Sequence, residues 1–191
     1  MDAIMTVGIN DDDQALIVAA QQGSRTALDA LIRRHDRWVR HVVYRALGNA
    51  SAVEDVAQQV WTTVWQQIGT LVDPSAWRAW LYRTARNAAI DASQKSSRER
   101  RRRAPVDEQT LPDRDGSPAL RLVRDEEHRR MLAAINGLPA IYREPFVLKH
   151  LEDWSYAQIG EALGLPVDTV ETRLVRARRL LRSALNGSAN P

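Results

Sequence analysis

The sequence predicts an all-α protein made of two small helical domains joined by a flexible linker. Three observations carry that prediction. Apolar residues recur at helical spacing along most of the 191 residues, and the alternation typical of strands is nearly absent. Residues 104–120, APVDEQTLPDRDGSPAL, break this periodicity with three prolines, one glycine and four acids against Arg114, a linker composition. Residues 153–185 read as two short helices across a tight turn. A chain of this length holds one or two small domains.

From the N-terminus, Asp11 to Asp13 are expected to cap a short helix, Gln14 to Gln22, that Gly23 stops. Ser24 caps a longer helix reaching about Leu47, with Ala27, Leu28, Leu31, Ile32, Val39, Val42 and Val43 inward and Gly48 at its end. Ser51 and Glu54 have capping-box spacing before a helix that runs to Ile68. Its apolar stripe is Val53, Val56, Ala57, Val60, Trp61, Val64, Trp65 and Ile68. The other side is Asp55, Gln58, Gln59, Thr62, Thr63, Gln66 and Gln67, polar yet almost uncharged, which is unusual for a face that meets only water.

Residues 69–75 form a loop in which Asp73 or Ser75 can cap the next helix, with Pro74 tolerated in its first turn. That helix spans about Ser75 to Lys95 and contains WRAWLYRTARNAAID. Between positions 76 and 103 nine basic residues stand against Asp91 and Glu99, with Trp77, Trp80 and Tyr82 interleaved. Aromatics that stack on bases beside arginines that hold phosphates suit single-stranded nucleic acid. The plainer reading is that one or both tryptophans fill the core. The RERRRR run reads equally as a disordered flank, which still attracts polyanions.

Beyond the linker, a helix from about Leu120 to Asn136 is stopped by Gly137. Pro139 opens the next, which reaches His150 and which Pro145 should kink or fray. Ser155 and Gln158 make a capping box for a helix from Tyr156 to Leu163, with Ile159, Ala162 and Leu163 inward. Gly164 supplies the positive φ that ends it, and Pro166 forbids continuation. Asp168 is expected to cap the last helix, where Val170, Leu174, Ala177 and Leu181 form one stripe and Thr172, Val175, Arg176 and Arg179 face away. Five arginines between 168 and 182, against Asp168 and Glu171, suit the neutralisation of phosphates. Two helices, a turn with Gly and a basic second helix make a helix-turn-helix, whose second helix enters the major groove. An ordinary hairpin with a solvated basic face is the alternative, and the agreement of caps, turn and stripe weighs against it.

Bulk properties narrow the function. The formal net charge is only +3, so the placement of charge matters more than its sum. With no Cys, the chain has no disulfide, thiolate metal site or cysteine nucleophile, which fits a reducing cytoplasm. The start, MDAIMTVGINDDD, lacks a secretory signal's basic and apolar regions, and no window approaches 18 consecutive apolar residues, so no membrane insertion is expected. The histidines at 35, 41, 128 and 150 are scattered, without HExxH or a Walker loop. Each is expected at a surface or half-buried helix position, and no catalytic residue, metal or cofactor is expected.

Three segments then share one resemblance. VEDVAQQVWTTVW comes first. WRAWLYRTARNAAID follows, most specific in Trp80-Leu81-Tyr82, Arg86-Asn87 and Asp91. GLPAIYREPFVLKHLEDWSYAQIGEALGLPVDTVETRLVRARRLL comes after the linker. Over about residues 12–186 the chain resembles bacterial RNA polymerase sigma factors of the compact extracytoplasmic-function group. The resemblance implies a domain at 12–103 that binds core polymerase and the −10 element, the linker at 104–120, and a domain at 121–186 that binds the −35 element. It implies a cytoplasmic initiation factor whose partners are promoter DNA and core RNA polymerase, through the clamp coiled coil of the largest subunit. An anti-sigma factor is a further partner that such factors admit.

By position, the resemblance assigns Asp55, Gln58, Gln59 and Thr62 to the polymerase clamp, and their uncharged polarity then has a reason, since an interface helix must desolvate cheaply. Leu71, Val72, Asp73, Pro74 and Ser75 correspond to the specificity loop that takes a flipped base. Tyr82 and Asn87 match positions lining that site, with Arg83 and Arg86 on the backbone. Thr172, Val175 and Arg176 are candidates for base edges, and Arg143, Arg173 and Arg179 for phosphates. The acidic linker would thread the channel that nascent RNA later occupies. Three positions depart from the family pattern. Gln59 stands where many members have Glu. Glu171 stands where many have a base, and serves either the helix start or a cytosine amino group. Trp154 replaces a usual Gly, as an apolar anchor or an exposed contact. A stand-alone helix-turn-helix regulator would explain residues 120–186 but leave the Gln/Thr-faced and WRAWLYR helices without a task.

Overall fold

The computed structural model describes residues 11–103 and 126–187, and every element among them is helical, with no strand among the described residues. They belong to two compact units. The expected linker at 104–120, and the start of the helix expected from Leu120, lie outside the described residues.

In the first unit α1 is Asp11–Gln21, α2 Arg25–Leu47, α3 Val53–Gln67 and α4 Trp77–Arg103. Two 3-10 turns, Ile68–Thr70 and Pro74–Ala76, join α3 to α4. The long α2 packs against α1, α3 and α4, and α3 also packs against α4. Leu31, Val39 and Val43 of α2, Val60 and Val64 of α3, and Trp77 and Leu81 of α4 are fully buried there. Ser24 caps α2 by accepting from the Ala27 amide, as its sequence position predicts. Trp77 and Trp80 stack with ring centroids 5.6 Å apart, and both are buried, so both tryptophans belong to the core.

Five local expectations change. Asp13 is no solvent-side cap: it lies inside α1, buried, and its carboxylate accepts from Arg34 Nη1 at 2.7 Å and lies 3.3 Å from His35 Nε2. His35 is therefore a core histidine rather than a surface one, edge-on to the Trp77 ring at 6.0 Å. The Ser51–Glu54 capping box does not form. Asn49 Oδ1 accepts from the Ser51 amide and hydroxyl, and Glu54 pairs with Arg40 of α2 instead. A carboxylate that an arginine of the neighbouring helix can grip with two guanidinium nitrogens has the stronger partner there. Trp65, at the edge of the α3 stripe, is 42% exposed rather than buried. Finally, α4 runs to Arg103, eight residues beyond Lys95.

Burial lowers the His35 pKa against the opposing pull of Asp13, so the folded unit prefers the neutral ring. A depressed histidine pKa contributes stability that is complete above the unfolded value of 6.5 and is lost as pH falls below it. The first unit should therefore weaken between pH 7 and 5, by at most about 1.4 kcal/mol per pH unit from this group. Glu54 and Asp73, whose carboxyl pKa values are lowered by hydrogen bonds to Arg40 and Ser75, act only in a more acidic window. Thermal melts across this range, on the parent chain and on His35→Leu, check the effect; an equal slope in both excludes His35 as its source.

In the second unit α5 is Glu126–Gly137, α6 Ala140–His150, α7 Tyr156–Leu163 and α8 Val167–Gly187. The other three helices all pack on α8. Ile135, Leu138, Val147, Ala177 and Leu181 form a core cluster, flanked by Tyr142 and Phe146. Pro145 lies inside α6, which runs as one helix from Ala140 to His150. Ser155 and Gln158 form the expected capping box, and Gly164 ends α7 at φ 65°. The last helix starts two residues earlier than expected, at Val167: the Thr169 and Val170 amides donate to the Pro166 carbonyl, and Asp168 lies in the first turn rather than at the cap. Trp154 is wholly buried, which decides between its two readings in favour of the anchor.

Candidate polymerase and nucleic-acid interfaces

On α3 the residues Asp55, Gln58, Gln59 and Thr62 are all exposed on the side away from the buried stripe. Thr62 and Thr63 turn their hydroxyls back onto the Gln58 and Gln59 carbonyls, at 3.0 Å each. Hydroxyls already bonded to the helix lose less when water leaves, so this face is suited to being covered. Asp55, Gln59, Thr63 and Gln67 form one wall of an open groove of about 550 Å³, and Arg83, Asn87, Asp91 and Lys95 of α4 form the other. The groove thus brings Asp55 and Gln59, assigned to polymerase, opposite Arg83 and Asn87, assigned to DNA, whereas Gln58 and Thr62 do not line it.

The loop between α3 and α4 is set by its ends. Asp73 accepts from the Ser75 amide at 2.8 Å and its hydroxyl at 2.7 Å, which caps the Pro74–Ala76 turn and lowers the Asp73 pKa. Leu71 is buried, whereas Val72 beside it is 97% exposed. Gln21, the last residue of α1, donates from Nε2 to the Ile68 carbonyl at 3.0 Å and the Leu71 carbonyl at 2.7 Å. Sequence reasoning missed Gln21, because a single glutamine at a helix end carries no pattern. Of the residues expected at the −10 element, Val72, Asp73, Ser75, Arg83 and Asn87 are exposed and Arg86 is half-buried. Leu71 and Tyr82 point inward, with Tyr82 tilted against Trp38 at 6.2 Å.

In the second unit Thr172, Val175, Arg176 and Arg179 are exposed on α8, opposite the buried Val170, Leu174, Ala177 and Leu181. Thr172 donates to the Asp168 carbonyl at 2.9 Å. Arg173 is half-buried, and so is Arg143 of α6, whose Nη1 donates to the Asn136 carbonyl at 2.8 Å. Glu171 is exposed. Gly160 brings α7 and α8 together: its carbonyl accepts from the Leu165 amide at 2.8 Å, and a Cβ at 160 would stand 2.7 Å from the Leu165 carbonyl oxygen. A lone glycine inside a helical pattern was the available signal.

Among the described residues no helix is long and apolar enough to cross a membrane. The family model for Sigma-70 region 2 matches residues 31–99, and that for Sigma-70, region 4 matches residues 128–181. The chain is 31% identical over 176 residues to the ECF RNA polymerase sigma factor SigW of Bacillus subtilis, covering 88% of this chain and 94% of that protein. It is 29% identical over 186 residues to the RNA polymerase sigma-H factor of Pseudomonas aeruginosa, covering 92% and 94% of the two chains. Among solved structures it is similar to CnrH in complex with the cytosolic domain of CnrY, with a TM-score of 0.65 and 27% identity over 93% of this chain and 99% of that one.

Proposed function

Because the chain belongs to the ECF RNA polymerase sigma factors, we propose that its two units divide promoter recognition between them while α3 carries the polymerase contact. Sigma-factor function, not that of a stand-alone regulator, is what the relatives share across both units. In this reading Asp55, Gln58, Gln59 and Thr62 dock on the clamp coiled coil of the largest polymerase subunit. Val72, Asp73, Ser75, Arg83, Arg86 and Asn87 meet the −10 element, and Leu71 and Tyr82 support them from within. Thr172, Val175 and Arg176 read −35 base edges, and Arg143, Arg173 and Arg179 hold phosphates. The factor has no catalytic chemistry or cofactor of its own, works in the cytoplasm, and takes an anti-sigma partner; the similar CnrH is seen in complex with the cytosolic domain of CnrY.

The observation that carries this reading is the groove in which Asp55 and Gln59 of α3 face Arg83 and Asn87 of α4. Polymerase docked on one wall would stand beside the DNA strand held on the other. Reconstitution with core RNA polymerase and run-off transcription from a promoter library randomised over both elements tests it. Failure to recruit core enzyme sinks it.

The exposed α8 face allows a sharper outcome. Arg176→Ala should cost about 1–3 kcal/mol and relax preference at one −35 position, as the loss of a bidentate base contact does. Arg179→Ala should instead weaken all sequences alike and flatten the salt slope by about one unit. A promoter panel that Arg176→Ala reads with unchanged preference removes Arg176 from the base-reading set.

A further inference from the structure

We infer that Gln21 is a positioning residue for promoter selectivity: its amide locks the loop that presents Val72, although α1 lies outside the matched region 2 residues 31–99. This rests on the proposed role of that loop at the −10 element. A primary amide carries two N–H donors on one nitrogen, and here that nitrogen meets two main-chain carbonyls. Those carbonyls, of Ile68 and Leu71, bracket the segment Gly69–Thr70 and fix the residue immediately before Val72. The Leu71 amide also donates to the Ile68 carbonyl at 3.2 Å, so one oxygen ties both the turn and α1.

The anchor is rigid. Ile17 and Ala20 of α1 are buried, and Asp13 pins the same helix to Arg34 and His35 of α2. On the far side, the Asp73–Ser75 cap holds the loop's exit. Between these fixed points a valine side chain stands 97% exposed. An apolar group held out in water suits insertion beside an unstacked base, provided the backbone that carries it is ordered beforehand. Gln21 supplies that order, and the ordering cost is met on folding instead of on DNA binding.

Gln21→Leu keeps size and removes both donors. In the reconstituted polymerase complex, run-off transcription on the randomised library should show discrimination falling roughly two- to tenfold at the base position set by the loop. Preference at the −35 element should be unchanged. In the full chain alone, amide exchange at residues 69–73 should accelerate while exchange in α2 stays as before. Gln21→Leu combined with Val72→Ala should be non-additive, since both act through one side chain's placement. A uniform loss on all promoters together with faster exchange in α2 would make Gln21 merely structural and overturn the proposal, as would unaltered loop exchange. If Val72→Ala alone leaves every promoter preference intact, the loop's role at the −10 element fails, while faster loop exchange in Gln21→Leu still supports the lock.

Discussion

Trp154→Ala is expected to unfold the second helical unit at physiological temperature and leave the first intact. The indole is wholly buried beneath the start of α7, its amide donates to the Leu148 carbonyl at 3.0 Å, and its carbonyl accepts from Lys149 Nζ at 3.1 Å. Emptying a site of that size costs about 3–5 kcal/mol. A domain of some sixty residues has a total stability near the lower end of about 5–15 kcal/mol, so one such loss removes most of it. Circular dichroism melts should lose the helical transition of the second unit, while the first unit, which holds the other five tryptophans, keeps its own. Promoter binding through the −35 element should disappear with it, and core-polymerase binding should persist. A variant that melts like the parent chain would mean that the surroundings of Trp154 collapse into the space it leaves.

The second large effect is functional rather than structural. Gln58→Lys with Gln59→Lys should abolish binding to core polymerase without lowering the melting temperature, because both side chains are exposed and outside the apolar stripe. Two ammonium groups on a face that must shed water carry a desolvation cost that the amides do not. Trp61→Ala is the converse. Its ring is buried and its Nε1 donates to Asp36 Oδ1 at 2.8 Å, so truncation should cost about 3–5 kcal/mol and leave Asp36 a partner short. Melts run beside a core pulldown separate the two. An unfolded double lysine variant together with a stable Trp61→Ala would reverse the assignment of faces.

Much of this architecture was legible because short-range chemistry decided it. The Ser24 cap, the Ser155–Gln158 box, the Gly164 turn and the α8 stripe each depend on residues within a few positions of one another. What escaped depended on distance along the chain. Ser51 and Glu54 had the right spacing, but Arg40 on α2 competed for the carboxylate. Asp13 read as a cap until Arg34 and His35 met it in the interior. Leu71 and Tyr82 hold positions that the resemblance assigns to DNA, yet their side chains face inward: a seven-residue loop has no periodicity to mark Leu71 as buried, and Tyr82 of α4 packs against Trp38 on α2. Gln21 acts across 47 and 50 residues of sequence, and no local pattern could have shown it.

The close approach at Gly160 bears on how such a factor can change its targets. At the turn between α7 and α8 main chain meets main chain, and there the sequence must leave position 160 without a side chain and let position 164 adopt a positive φ. The residues that face outward from α8, Thr172, Val175 and Arg176, take no part in that joint. Under the proposed reading of these three residues, mutations there would retarget the factor to a different promoter without tilting the helix that presents them. Diversification of binding sites and preservation of the frame are therefore separable, and descendants of this chain can trade one set of genes for another through a few surface substitutions.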